Sequence, residues 1–308
     1  MTKSPSPDLP YLDARQVRAH LDIDDLIAAM RQALVSYSDG SVVQPDRQLL
    51  EVAAHGGYFA AMPAVGEAVG VKLVTFYPGN AARNIATHNA MILLFRPETG
   101  EPMAIMDGGL ITEARTAAVS AVATDALAHE DAAVLAILGT GLQARAHAEM
   151  LPRVRDFSEV RVWGRNDASA AAFAEEIGGR AMSAETAVRD ADVVVCATSA
   201  KTAILRGAWL KPGAHVNAVG WNTKDGRELD DEAMRNLVIV ESRRGTLAES
   251  GNMRGSGATA EAEIGDILRG AKAIDRAATT IFDSVGMAIE DVTAATLVWQ
   301  AWRDANRR

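Results

Sequence analysis

Several things this chain has little of narrow its possibilities. One cysteine, Cys196, among 308 residues leaves no disulfide framework and no thiolate cluster for a metal. Inside the apolar run DVVVCATS it reads as a small buried hydrophobe. Positive charge is scarce: 31 Lys and Arg against 40 Asp and Glu give a net charge of −9, which argues against a nucleic-acid partner. Aromatic residues make up 5%, so no stacking pocket is signalled. No window approaches the roughly 18 uninterrupted apolar residues of a membrane span. The start, MTKSPSPDLPYLDARQ, also lacks the apolar core of a signal peptide. These absences predict a soluble, cytoplasmic protein without a membrane partner.

What is present is apolar bulk. Hydrophobic residues are 48% of the chain, enough for two moderate domains with filled cores. Residues 1–10 hold three prolines and two serines and read as a loose arm. DIDDLIAAMRQALVSYSDG then places Ile23, Leu26, Ile27, Met30 and Leu34 at helical intervals and stops at Gly40. From 47 to 107 the runs RQLLEVAA, GYFAAMPA, AVGVKLVTF, HNAMILLF and PMAIMD predict an antiparallel sheet, the last two joined by the turn-rich RPETGE. The alanine-rich GLITEARTAAVSAVATDALA follows, a long helix expected to cross into a second domain. Beyond it, strands near 133–138, 159–163, 192–198, 214–219 and 237–241 alternate with helical patterns. That rhythm belongs to the α/β class with a doubly wound parallel sheet. The last stretch, GMAIEDVTAATLVWQAWRDANRR, is a helix apolar around much of its circumference, suited to a domain or subunit interface.

The strongest local motif is AAVLAILGTGLQARAHAEML, where Gly139, Gly141 and Ala144 follow an apolar strand and open a helix. Gly139 permits the tight turn, Gly141 lets backbone approach a pyrophosphate, and Ala144 allows helix and strand to pack closely. The dipole and free N–H groups of the helix start, at Leu142 and Gln143, then face the phosphates. A second strand about 20 residues on is what a dinucleotide fold requires. It ends in VWGRN. An NAD-selective protein places an acid there for the ribose, whereas a 2′-phosphate is repelled by an acid and drawn to an arginine. Arg165 and Asn166 therefore favour NADP(H) over NAD(H), against the plain alternative of a solvated arginine at a strand end. Asp167 is a candidate acid, but as the start of the following helix it is more simply a cap.

The sequence resembles the ornithine cyclodeaminase and mu-crystallin family along nearly its whole length. The resemblance is carried by QPDR (44–47), VGVKLVTFYPGN (69–80), THNAMILLFRPETGEPMAIMDG (87–108), ITEARTAA (111–118), GTGLQA (139–144), VWGRN (162–166), LKPGAHVNAVG (210–220), REL (227–229), EIGDIL (263–268) and FDSVGMAIEDV (282–292). It implies a homodimer and a nicotinamide cofactor used to move hydride at the α-carbon of an amino or imino acid. The implied Rossmann domain spans 116–284, and an α+β substrate-binding and dimerisation domain spans 1–115 with 285–308. The ending VWGRN is similar to the NADPH-using mu-crystallin branch.

By the same resemblance the substrate-carboxylate clamp maps onto Arg47, Lys72 and Arg115, Thr116 onto a position touching the cofactor phosphates, and Ser284, Val285 and Gly286 onto the nicotinamide pocket. The residues themselves leave alternatives. Lys72, in the middle of an apolar run, either guards a sheet edge or faces a functional cavity. Arg115 beside a helix start can fork onto a carboxylate or lie exposed. Thr116 is otherwise a plain helix residue, and Ser-Val-Gly before a helix is otherwise a cap. His88, beside apolar NAMILLF, reads as a structural histidine.

The pattern breaks at one position. Cyclodeaminases of this family carry an aspartate two residues beyond the AVG strand end, where this chain reads NAVGWNTKDGREL and has Asn222. An amide is neither a base nor a counter-ion for an ammonium group, which puts ring closure with ammonia loss in doubt. Simple reduction survives. The reading is an NADPH-dependent reductase of a small cyclic imino acid, with Δ1-pyrroline-2-carboxylate and Δ1-piperideine-2-carboxylate as trial substrates. Arg47 and Arg115 hold the carboxylate, and Lys72 contacts it and donates the proton, with no metal required. The alternatives are ornithine cyclodeaminase, an alanine-type amino-acid dehydrogenase, and a cofactor-binding protein without catalysis.

Overall fold

Between residues 48 and 107, side chains alternate between two sides of the backbone, and the chain folds there into a sheet. The computed structural model describes residues 9–220 and 226–307. It divides into two units, Met1–Arg115 with Met287–Arg308, and Thr116–Gly286.

In the first unit the strands are β1 (Tyr11–Leu12), β2 (Gln48–Val52), β3 (Gly57–Val65), β4 (Val69–Phe76), β5 (His88–Phe95) and β6 (Pro102–Asp107). Their order is β1-β6-β5-β4-β3-β2, antiparallel except that β1 runs parallel to β6. Cross-strand register aligns Leu12, Met106, Ile92, Lys72 and Met62 in one row on one face, all buried. The C-terminal helix, Ala288–Asn306, packs on β3, β4 and β5 from this side. It sits so close that a Cβ at Gly70 would lie 3.1 Å from Val292. Two shorter helices, α1 (Ala14–Ala19) and α2 (Ile23–Ser38), lie between β1 and β2, and α2 packs on the C-terminal helix. Asp22 caps α2 by accepting from the amides of Asp24 and Asp25, and its Leu26, Met30 and Leu34 stripe is buried, as the periodicity required. The other sheet face is left open, with Leu73 38%, Met91 46% and Leu50 59% exposed.

The helix α3 (Gly108–Leu127) belongs to the first unit as far as Arg115 and to the second from Thr116. Among the described residues, the second unit contains eight parallel strands. They are β7 (Val134–Leu138), β8 (Glu159–Trp163), β9 (Arg180–Ala181), β10 (Val193–Cys196), β11 (His215–Ala218), β12 (Leu237–Val240), β13 (Ala262–Glu263) and β14 (Thr280–Asp283). The order β13-β12-β14-β11-β10-β7-β8-β9 reverses direction between β7 and β10, the switch point at which open α/β sheets bind ligands.

The five strands the sequence predicts are all present. It also hides three, β9, β13 and β14. Of these β14 matters most, because it lies between β11 and β12 and delivers Ser284 at its end. Its apolar run is only Ile281 and Phe282, set between Thr280 and Asp283, too short to mark a strand. Ser120 and Thr124, one turn apart on α3, meet buried partners within this unit: Ser120 Oγ lies 2.9 Å from His147 Nε2, and Asn217 donates to Thr124 Oγ1 at 2.9 Å. These bonds fix the rotation of an alanine-rich helix that has little apolar contrast of its own. Among the described residues, no helix is long and apolar enough to cross a membrane.

Candidate active site

Lys72 sits on β4, which is flanked by β3 and β5. The edge alternative is thereby removed, because a lysine in a central strand with 3% of its surface exposed guards no edge. A buried ammonium needs counter-charge. It finds Asp291 on the C-terminal helix, with Nζ 2.5 Å from Oδ2, and donates also to Thr112 Oγ1 at 3.4 Å. Arg115, likewise buried, donates from Nε to Asp291 Oδ1 at 2.9 Å and from Nη1 to Glu290 Oε2 at 2.6 Å. The exposed-helix alternative for Arg115 is removed as well.

Two cations and two anions thus form one buried cluster. Burial pulls the Lys72 ammonium down to about 8; Asp291 opposes that pull, while Arg115 and Arg47 add to it. Arg47 lies next to β2, close enough for its charge to act on Lys72. Burial pushes the Asp291 carboxyl up, but Arg115 and Lys72 outweigh it and hold the group below the ordinary range. Arg47, Lys72 and Arg115, distant in sequence, are brought within electrostatic reach of one another.

His88 occupies the same sheet face, since it pairs with Phe76 two pleats along β4 from Lys72. Its ring packs against Phe76 with centroids 4.4 Å apart, and its imidazole is pulled down by burial and then by the Lys72 charge. The sequence had set His88 apart as structural; its register puts it alongside the cation cluster.

In the second unit the glycine loop follows β7. Gly139 has φ +136°, and a Cβ there would strike the Ala197 carbonyl oxygen at 2.4 Å, so only glycine fits this crossing at the switch point. Gly141 begins α4 (Leu142–Met150) without any side-chain cap, and nothing would lie within 4 Å of a Cβ added to it. Open backbone at an uncapped helix start is what a dinucleotide pyrophosphate requires, so the residues present fit such a cofactor. Leu142 is exposed. Gln143 turns its carbonyl to His147 Nδ1, and its buried Oε1 has no partner among the described residues. Thr116 is buried on α3.

At the end of β8, Arg165 is exposed and makes no hydrogen bond or ion pair with the described residues. Asn166 caps α5 (Asp167–Glu176), its Oδ1 accepting from Ser169 N at 2.8 Å. The cap is therefore Asn166, and Asp167 is the first helical residue: the extended backbone that capping requires occurs at Asn166, with φ −106° and ψ 116°.

Beyond β14, Ser284 does not cap the C-terminal helix. That helix begins after Met287, whose backbone amide donates to Glu290 Oε2 at 3.1 Å. Ser284 Oγ instead donates to Glu241 Oε1 at 2.5 Å, and the amides of Val285 and Gly286 donate to Glu241 Oε2 at 3.1 and 2.8 Å. Two further carboxyls lie nearby. Glu228 accepts from Thr198 N and Oγ1 and from Gly220 N, and Asp283 accepts from Ser250 and Asn252. Burial lifts Glu228 to about 7 against those hydrogen bonds, with Asp283 adding to the rise; burial lifts Asp283 to about 6, with Glu241 adding. No ion pair reaches any of the three among the described residues.

Asn222, and Asp225 near it, fall outside the described residues. The sequence reading missed Glu290, Asp291, Glu228 and Glu241. The signal for the first two was present: two adjacent acids in the apolar helix MAIEDV are costly to bury unless cations await them. Nothing local marks Glu228 or Glu241.

A model of the ornithine cyclodeaminase/mu-crystallin family matches residues 11–306. The mouse (Mus musculus) ketimine reductase mu-crystallin is 45% identical over 303 residues, covering 95% of this chain and 97% of that protein. The solved Δ1-pyrroline-2-carboxylate reductase of Thermococcus litoralis, in complex with NADH and L-proline, superimposes with a TM-score of 0.91 at 32% identity, covering 97% of this chain and 98% of that one. An archaeal alanine dehydrogenase dimer with bound NAD superimposes with a TM-score of 0.92 at 29% identity, covering 97% of each chain.

Proposed function

The chain belongs to the ornithine cyclodeaminase/mu-crystallin family, and from that premise we propose that it is an NADPH-dependent reductase of a small cyclic imino acid. The observation that carries this reading is the buried cluster of charges around Lys72. Arg47, Lys72 and Arg115 act on one spot, two of them nearly fully buried. An apolar core gains nothing from such charges, whereas an anionic substrate does. Two of the three N–H directions of the Lys72 ammonium are taken by Asp291 and Thr112, and the third has no partner among the described residues.

In this reading the substrate carboxylate lies against Arg47, Lys72 and Arg115. Lys72, held near a pKa of about 8, donates a proton to the imine nitrogen as its carbon is reduced. The glycine loop from Gly139 to Gln143 holds the pyrophosphate, Thr116 contributes a phosphate contact, and residues 284–286 line the nicotinamide. A nicotinamide bound there supplies the hydride. NADP(H) is preferred over NAD(H) because Arg165 offers an uncommitted cation where an acid would serve NAD. The relatives named above agree with a reductase of this kind.

The subunit pairs with a second copy through the open face of the first sheet. Leu50, Leu73 and Met91 lie exposed on that face, and apolar surface of this kind marks an association site.

The test is to incubate the protein with NADPH and, separately, Δ1-pyrroline-2-carboxylate and Δ1-piperideine-2-carboxylate, following cofactor oxidation. Turnover of at least one ketimine is expected. Turnover of L-ornithine alone, with NAD+ and ammonia release, would make the protein a cyclodeaminase. The likeness to the archaeal alanine dehydrogenase favours one second reading, an amino-acid dehydrogenase; formation of a keto acid from alanine distinguishes it.

A further inference from the structure

Asp291 touches both Lys72 and Arg115. Its two carboxylate oxygens are divided between them, Oδ2 on the ammonium at 2.5 Å and Oδ1 on the guanidinium Nε at 2.9 Å. Glu290, one residue earlier, accepts from Arg115 Nη1 at 2.6 Å and also from the amide of Met287 at the start of the helix. The two acids belong to the first turn of the C-terminal helix and the two cations to β4 and α3.

We propose that Asp291 is a positioning residue of the reaction: as a built-in carboxylate bridging Lys72 and Arg115, it fixes their separation and keeps the Lys72 ammonium charged for its encounter with the substrate. This rests on the function proposed above. Without Asp291, the ammonium would face Arg115 and Arg47 with no counter-charge of its own, and repulsion would drive it toward the neutral amine. The groups facing Lys72 are Asp291 and Glu290 from the C-terminal helix, Thr112 and Arg115 from α3, Arg47 beside β2 and His88 on β5, with apolar Met62 and Ile92 on either side. Of these, Asp291 is the carboxylate in direct contact with the ammonium, and its charge favours the protonated lysine.

The experiment compares D291N with the unaltered protein. Lys72 is titrated directly by NMR in protein carrying isotope-labelled lysine, its resonance assigned by its loss in K72R. The midpoint is expected to fall by about one pH unit or more in D291N. The basic limb of kcat/KM with Δ1-pyrroline-2-carboxylate should move to lower pH with it, so that activity drops about fivefold or more at pH 8 and much less at pH 6. A folded D291N in which Lys72 titrates as before overturns the proposal.

If D291N does not fold, D291E decides. It keeps the charge but lengthens the arm, so KM for the imino acid should rise while the pH limb stays in place; an unchanged KM overturns the proposal. The NMR titration needs no substrate, so a protein that reduces no ketimine would refute the proposed function and still leave the Asp291 result readable.

Discussion

Gly164 packs against Thr140 so closely that a Cβ at Gly164 would lie 2.7 Å from the threonine methyl. The end of β8 is therefore held against the glycine loop, and the residue after Gly164 is the uncommitted Arg165. From this follows a prediction for the cofactor. Arg165→Ala should weaken NADPH by about 1.5–3 kcal/mol, the range for a hydrogen bond to a charged group, and leave NADH nearly untouched. Fluorescence titration with both cofactors checks it. Equal loss for the two would mean that Arg165 does not read the 2′-phosphate.

Lys72→Met should lower kcat by about 10²–10⁴-fold, the usual contribution of a positioned proton donor. The same change leaves Asp291 with Arg115 as its remaining ion-pair partner. The stability loss should accordingly fall below the roughly 3–5 kcal/mol of an orphaned buried charge. Denaturant unfolding measures the second effect and steady-state kinetics the first. A variant with wild-type kcat would remove Lys72 from proton transfer.

Glu228 gives a signed pH dependence. Its folded carboxyl is raised to about 7 from 4.5, so the folded state binds the proton more tightly than the unfolded chain. The stability this contributes is present below pH 4.5 and is lost as pH rises through 7. The loss is on the order of 3 kcal/mol. His147 and His215, each pulled down to about 4 by burial, act in the opposite sense, losing stability as pH falls below 6.5. The informative quantity is therefore the difference between E228Q and the unaltered protein. Glutamine cannot ionise, so E228Q should gain on the parent protein as pH rises from 4.5 to 7 in a melting series. Parallel curves would show that Glu228 titrates normally.

The open sheet face predicts an assembly result. Leu73 and Met91 pair across β4 and β5 on the side opposite Lys72. The double variant L73D/M91D should convert a dimer into a monomer in light scattering coupled to size exclusion, because two desolvated carboxylates at the centre of an apolar interface are costly. An unchanged mass would place the interface elsewhere.

Much of this protein is legible in one dimension. Short-range periodicity determined the parallel half of the fold, since alternating strands and helices bury both faces of a sheet, and the strand-glycine-helix order of AILGTGLQA marked the tight turn at Gly139 and the uncapped helix start after it. The apolar run around Lys72 raised a question it could not answer. Whether that lysine guarded an edge depended on which strands lay beside it, and register is settled by packing between distant segments.

Tertiary structure alone decided the charge partners. Asp291 lies 176 residues from Arg115, and Glu241 lies 43 from Ser284, with no spacing rule to connect them. A buried ion must be neutralised by whatever the fold brings within about 3 Å, and that depends on the folded path of the chain.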